Sequence, residues 1–277
     1  MIVPVAVVAL LAAAGSQLGA PVQNARIATP PLDPRGLAAT VDSLLQEAEE
    51  GSWIAWSVPA VSDYEGCCWN LRKRGCCLDD DHRGIAFQSS PTLGGAELLV
   101  LLRISRRGID RVAAYSASCP IDGAARTLHW IEGVDASDSL ELLTSLLEAR
   151  KVAEQALAAI AFHAAPEAGA QLAHLGRHGE SADLRGDALF WIAQRNDASA
   201  PDVLLAAASS DDDPDVREHA VFAMSQLPHD AGTLLLLRLA RDRAFTAEVR
   251  QQAIFWLAQS SDPRALDLFA EILRAGS

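Results

Sequence analysis

The strongest constraint in this 277-residue chain is that its second half repeats itself. Leu184-Arg185-Gly186-Asp187-Ala188-Leu189-Phe190 aligns with Val216-Arg217-Glu218-His219-Ala220-Val221-Phe222 and with Val249-Arg250-Gln251-Gln252-Ala253-Ile254-Phe255. A weaker copy is Val152-Ala153-Glu154-Gln155-Ala156-Leu157. The anchors at 152, 184, 216 and 249 are 32, 32 and 33 residues apart. Such a period, with apolar residues at helical spacing inside it, predicts a helix, a short turn and a second helix per unit. Second helices are expected over 201–209, 231–241 and 263–274. Asp213-Pro214 and Asp262-Pro263 each set a capping carboxylate before a proline at the first helical position, where a missing N–H costs nothing. Ala156, Ala188, Ala220 and Ala253 recur where helices must approach closely, and Phe190, Phe222 and Phe255 are expected to fill the layer between units.

Each strong unit opens with an acidic residue, Val or Leu, Arg, and then Ala three residues after the Arg: Asp183-Leu184-Arg185, Asp215-Val216-Arg217 and Glu248-Val249-Arg250. This signature resembles HEAT repeats of the short bacterial kind also called phycobilisome-lyase-type repeats. The match covers 183–274 and weakens over 150–180. The ankyrin and tetratricopeptide signatures are missing. The resemblance implies an α-solenoid of about four helix pairs over 135–277. It implies a ladder in which Asp183, Arg185, Asp215, Arg217, Glu248 and Arg250 join neighbouring units. It also implies protein–protein binding, with the second helices on the concave side. The groups expected to face a partner there are Asp202, Arg238, Arg241, Arg264, Asp267 and Glu271. Ile272 and Leu273 are expected to form an exposed apolar end. The layout also resembles exported bacterial HEAT-repeat proteins. The same family includes chromophore-attachment lyases, so a lyase-like enzyme is one alternative.

Residues 26–134 have another texture. One helix is expected over 36–50, where Leu37, Val41, Leu44, Leu45 and Ala48 share a face. Trp53 to Val58, Leu98 to Ile104, Ile109 to Ser116 and Leu128 to Ile131 read as strands, with Arg106-Arg107-Gly108 as a tight turn. The expected architecture is α+β: a small antiparallel sheet domain over 26–134, then the solenoid. Met1 to Ala25 holds no charged side chain, and Ile2 to Ala14 is almost continuously apolar. That pattern predicts an export signal over 1–25, short for a membrane span, with an uncleaved anchor as its alternative. The expected location is therefore the periplasm or cell envelope.

Export makes disulfides the expected state of Cys67, Cys68, Cys76, Cys77 and Cys119. A hairpin over 69–75 would bring one pair together, for example Cys68 with Cys76. A bridge to Cys119 is equally compatible, and one thiol is left over. Zinc motifs usually space cysteines two residues apart so that both thiolates reach one ion. Vicinal pairs do this poorly, so no metal and no cofactor are expected. A thiol redox or stress sensor using this cluster is a second alternative.

His174 and His178 are four apart, but Leu175 stands where a zinc protease carries Glu. Asp79-Asp80-Asp81-His82 and Asp211-Asp212-Asp213 lack calcium-loop spacing, and Gly94-Gly95 lacks the flanks of a phosphate loop. Net charge is −13, with eleven Arg and Lys against fourteen Asp and Glu in 26–134 and twelve against twenty-two in 135–277. An acidic surface argues against nucleic acid and anionic lipid as partners. The expected role is a non-enzymatic binding or scaffold module that holds another envelope protein.

Overall fold

The computed structural model describes residues 22–61, 66, 67, 69, 70, 73, 74, 76–79, 97–228 and 230–275. Residues 1–21 of the expected leader lie outside these, as do Cys68, Asp80-Asp81-His82 and Gly94-Gly95. Strands β1 (Val22–Gln23) and β2 (Arg26–Ala28) precede helix α1 (Leu37–Glu47). Next come β3 (Trp53–Pro59), the small hairpin β4 (Trp69–Asn70) and β5 (Lys73–Arg74), and β6 (Cys76–Cys77). The long hairpin β7 (Glu97–Ser105) and β8 (Gly108–Ser116) follows, then β9 (Ile121–Asp122) and β10 (Thr127–Trp130).

The main sheet has the order β2-β10-β3-β7-β8. It is mixed, not antiparallel as the strand pattern suggested. β3, β7 and β8 form an antiparallel meander, but β10 runs parallel to both β2 and β3. The cause is the connection. After β8 the chain crosses one face of the sheet through β9, which pairs with β1 and β6 in a second small sheet. It re-enters beside β3 in the same direction as β3.

This crossover explains why β3 and β7 are apolar without interruption: both faces of the sheet are covered. Strand alternation divides their side chains into two layers. Ile54, Trp56, Val58, Leu98, Val100 and Leu102 pack toward the helices. Trp53, Ala55, Leu99 and Leu101 pack with Cys67, Cys76, Cys119 and Ile121 under the small sheet.

From Ala136 the described chain is helical: α2 (Ala136–Ser145), a 3-10 turn at Leu146–Glu148, then four helix pairs. The pairs are α3 (Ala153–Phe162) with α4 (Pro166–His178), α5 (Ala182–Arg195) with α6 (Ala200–Ser210), α7 (Pro214–Ser225) with α8 (Asp230–Arg241), and α9 (Ala247–Gln259) with α10 (Pro263–Ala275). Caps lie at the expected boundaries. The Asp215 N–H donates to Asp213 Oδ1 at 2.9 Å, and the Arg264 N–H donates to Asp262 Oδ1 at 2.9 Å. Ala156, Ala188, Ala220 and Ala253 are all fully buried. A second small-residue position recurs in the second helices, at Ala200, Gly232 and Ala265. A Cβ added at Gly232 would run into the Met224 carbonyl oxygen of α7.

The two textures meet without a break in packing. One hydrophobic core runs from Leu37 through the sheet and all four pairs to Leu268. Polar contacts fasten the junction. Trp56 Nε1 donates to Ser139 Oγ at 2.9 Å in the buried interior, and the Val112 N–H of edge strand β8 donates to Gln155 Oε1 of α3 at 2.7 Å. Beyond β3, the Val61 N–H donates to the Phe162 carbonyl and the Ala164 N–H to the Pro59 carbonyl, both at 2.9 Å. Between them His163 is fully buried, and its Nδ1 accepts from the Ala165 N–H at 3.1 Å. Arg195 donates to the carbonyls of Ala161 and His163 from the next pair along.

Candidate interaction surface

The expected charge ladder takes a different form. Arg185 donates through Nε and Nη2 to both oxygens of Asp211, at 2.9 and 3.0 Å, and through Nη1 to the Gly179 carbonyl. Arg217 donates to the carbonyls of Asp211 and Asp212, and Arg250 to that of Phe245. Each arginine thus pins the turn that leads into its own helix. In the first case it also holds the turn entering the following pair. Burial pushes the Asp211 carboxyl up, but its hydrogen bonds to Arg185 and to the Asp213 N–H outweigh this and hold it below the usual carboxylate range. Asp183, Asp215 and Glu248 make no ion pair among the described residues, although hydrogen bonds at the start of α9 and then the charges of Arg217 and Arg250 lower the Glu248 carboxyl. They sit exposed in the first turns of α5, α7 and α9, where an acidic group complements the helix dipole. The acceptor that matters, Asp211, lies in the Asp211-Asp212-Asp213 run. Its signal in sequence is only the presence of a carboxylate in the loop.

The six groups expected to face a partner divide into two sets. Arg241 pairs with Glu271 at 3.2 Å, and Arg264 pairs with Asp230 and Asp262, so these side chains clasp α8 to α10 and α10 to its own cap. Asp202, Arg238 and Asp267 are exposed and make no ion pair among the described residues.

The larger feature is apolar. Equivalent positions of successive pairs change from buried to exposed along the stack. Ala207 of α6 and Leu239 of α8 are buried, whereas Ile272 of α10 is 43% exposed. Leu189 and Val221 are fully buried, whereas Ile254 is half-buried. Phe190 stacks on Phe222 at 6.0 Å, and Phe222 leans on Trp256 at 5.0 Å. Phe255 breaks the expectation that it fills the layer between units, because it is 51% exposed. Leu266 is 68% and Leu273 is 73% exposed. Each pair is covered on one flank by the pair that follows it, and among the described residues none follows α10.

Residues 201–277, which span α6 to α10, match the family model of HEAT repeats. No curated protein matches the chain. The match fits the geometry: stacked antiparallel helix pairs in which first helix packs on first helix and second on second. It begins inside the second of the four pairs. The HEAT repeats are thus a property of the C-terminal stack, and the sheet region lies outside the match.

Two other places hold candidate chemistry. A cavity of about 490 Å³ lies between the β7–β8 turn and the start of α3, lined by Glu50, Ser105, Arg106, Asp110, Arg150 and Lys151 among others. Its charges are largely paired, Arg106 with Glu50 at 2.6 Å and both Arg103 and Lys151 with Asp110. The Ser105 hydroxyl donates to the Gly108 carbonyl. The second place is the cysteine layer. Cys67 and Cys119 form a disulfide with a Cα–Cα distance of 5.4 Å. Cys76 Sγ lies 3.7 Å from Cys119 Sγ, and Cys77 is a half-buried free thiol. The sequence left the partner of Cys119 open. Cys68 lies outside the described residues.

Proposed function

We propose that this protein is a non-enzymatic scaffold of the cell envelope that binds another protein through the exposed apolar side chains of helices α9 and α10. The observation that carries this reading is the exposure of Phe255, Leu266, Ile272 and Leu273 on α9 and α10, with Ile272 at a position that is buried in the two pairs before it as Ala207 and Leu239. Several large apolar side chains exposed on one helix pair of a repeat array mark an interaction site. Asp202, Arg238 and Asp267 supply a charged rim on the second helices, as the short bacterial repeat type would have them. The apolar leader over 1–25 supports export and therefore an envelope partner.

The test is crosslinking in intact cells, followed by isolation from the envelope and mass spectrometry. One protein in fixed stoichiometry is expected. Leu266→Glu should abolish its recovery and leave the melting temperature unchanged, because the side chain is already in solvent. Recovery that is indifferent to Leu266→Glu, or a clean monomer, would sink the reading.

A further inference from the structure

The cavity between the β7–β8 turn and the start of α3 departs from the acidic character of the chain. Its lining holds four cations, Arg106, Arg107, Arg150 and Lys151, against two carboxylates, Glu50 and Asp110. Both carboxylates are already matched. Glu50 accepts from Arg106 at 2.6 Å, and Asp110 pairs with Arg103 at 2.8 Å and with Lys151 at 3.4 Å. Hydrogen bonding to Arg103 outweighs burial and holds the Asp110 carboxyl below the usual carboxylate range. The Arg107 and Arg150 side chains make no ion pair and no hydrogen bond among the described residues. A chain of net charge −13 thus gathers uncompensated positive charge in one concave place.

The two arginines come from different walls, and both walls are fixed. Arg107 belongs to the tip of the β7–β8 hairpin. There the Ser105 hydroxyl donates to the Gly108 carbonyl at 2.8 Å and accepts from the Arg107 N–H at 3.3 Å. Arg150 lies in the turn before α3, which the Val152 N–H closes by donating to the Ala149 carbonyl at 2.9 Å. The Val112–Gln155 hydrogen bond and the Lys151–Asp110 pair tie one wall to the other. Ile109 packs against the main core and adds an apolar patch to the lining.

We propose that this cavity binds a phosphate monoester. One guanidinium fork saturates both oxygens of a carboxylate, so a single arginine suffices for that group. Two unpaired forks from separate walls fit an anion with more acceptors, and a terminal phosphate offers three strong acceptor oxygens. Inorganic phosphate would leave most of a 490 Å³ space empty, whereas an ester brings an organic part that can lie on Ile109. The site is separate from the exposed side chains of α9 and α10 and does not depend on the scaffold reading. A phosphate monoester occurs both on small soluble molecules and on the headgroup of phosphatidic acid. The soluble source is expected here, because an anionic bilayer repels a chain of this net charge.

The experiment is isothermal titration calorimetry of the full-length protein with phenyl phosphate, beside co-sedimentation with phosphatidylcholine vesicles made with and without phosphatidic acid. One-to-one binding of phenyl phosphate is expected, with benzoate about tenfold weaker at the same ionic strength. Arg107→Ala and Arg150→Ala should each weaken binding about tenfold, the loss expected for a hydrogen bond to a charged group. Both side chains are exposed, so the melting temperature should not change. Arg238→Ala, which removes an exposed arginine from α8, should leave binding as it is. Amide shifts in nuclear magnetic resonance give a reading that needs no variant, with changes expected at Arg107, Ile109, Arg150 and Lys151. Sedimentation with phosphatidic acid vesicles alone, lost in both cavity variants, would assign the phosphate to a lipid and keep the site. No binding in either arm, benzoate as tight as phenyl phosphate, equal weakening by Arg238→Ala, or shifts away from the cavity would each overturn the assignment.

Discussion

The sheet region and the helical stack bury comparable side chains by opposite means. In the sheet, neighbours in space are far apart in sequence: β10 pairs with β3 across some seventy residues, and the Cys67–Cys119 bridge closes a separation of 52. In the stack, each pair touches mainly the pair before and the pair after it. The first arrangement loses its order when any one segment fails. The second sums nearest-neighbour interfaces and tolerates local damage. Yet one core joins them, so the contrast lies in how contacts are organised and the molecule does not divide into two separate folding units.

The largest test cuts at the junction. Trp56→Ala removes a fully buried indole and strands the buried Ser139 hydroxyl, a loss of about 3–5 kcal/mol. Urea denaturation followed by both near-ultraviolet and far-ultraviolet circular dichroism should show one shifted transition. Two separated transitions would mean that the shared core does not couple the regions.

A smaller effect of the same kind comes from acid. Burial, with the Arg195 charge behind it, holds the His163 pKa down to about 4, below its ordinary 6.5. The fold therefore favours the neutral imidazole. Its contribution is complete above pH 6.5 and is lost as the pH falls toward 4, by up to about 3 kcal/mol. Stability measured across that window should slope downward with acid in the wild type, and the slope should flatten in His163→Gln. An unchanged slope would assign the acid sensitivity elsewhere.

Within the stack the cost should be local and smaller. Gly232→Ala forces a methyl against the Met224 carbonyl, worth about 1–3 kcal/mol. Hydrogen exchange should quicken in α7 and α8 and stay unchanged in β3 and β7. Smallest of all is Arg241→Ala. Its pair with Glu271 is about half-exposed, so the loss should stay below about 1 kcal/mol by thermal melting.

The same contrast decides what can be read from the chain. The four pairs, their caps and the recurring buried alanines are legible because each is a local pattern stated several times over. The mixed sheet is not, because nothing within Thr127–Trp130 says whether its neighbour runs with it or against it. The cysteine layer is hidden for a related reason: adjacency in sequence groups Cys67 with Cys68, while the fold groups it with Cys76 and Cys119. The arginine of each repeat is recognisable, but its acceptors are mostly carbonyls, which every residue carries and no sequence distinguishes. The exposed side of Phe255 follows from position in the array and not from the residue, which is identical to Phe222 in type.

The fastening of α3 to the sheet through Gln155 and His163 has a consequence for how such a chain changes length. A duplicated or deleted pair at α9–α10 leaves every other interface intact and simply moves the open face outward or inward. The same event at α3–α4 removes the acceptor for the β8 edge and the anchor for the end of β3. Growth in this architecture therefore has a direction, away from the sheet.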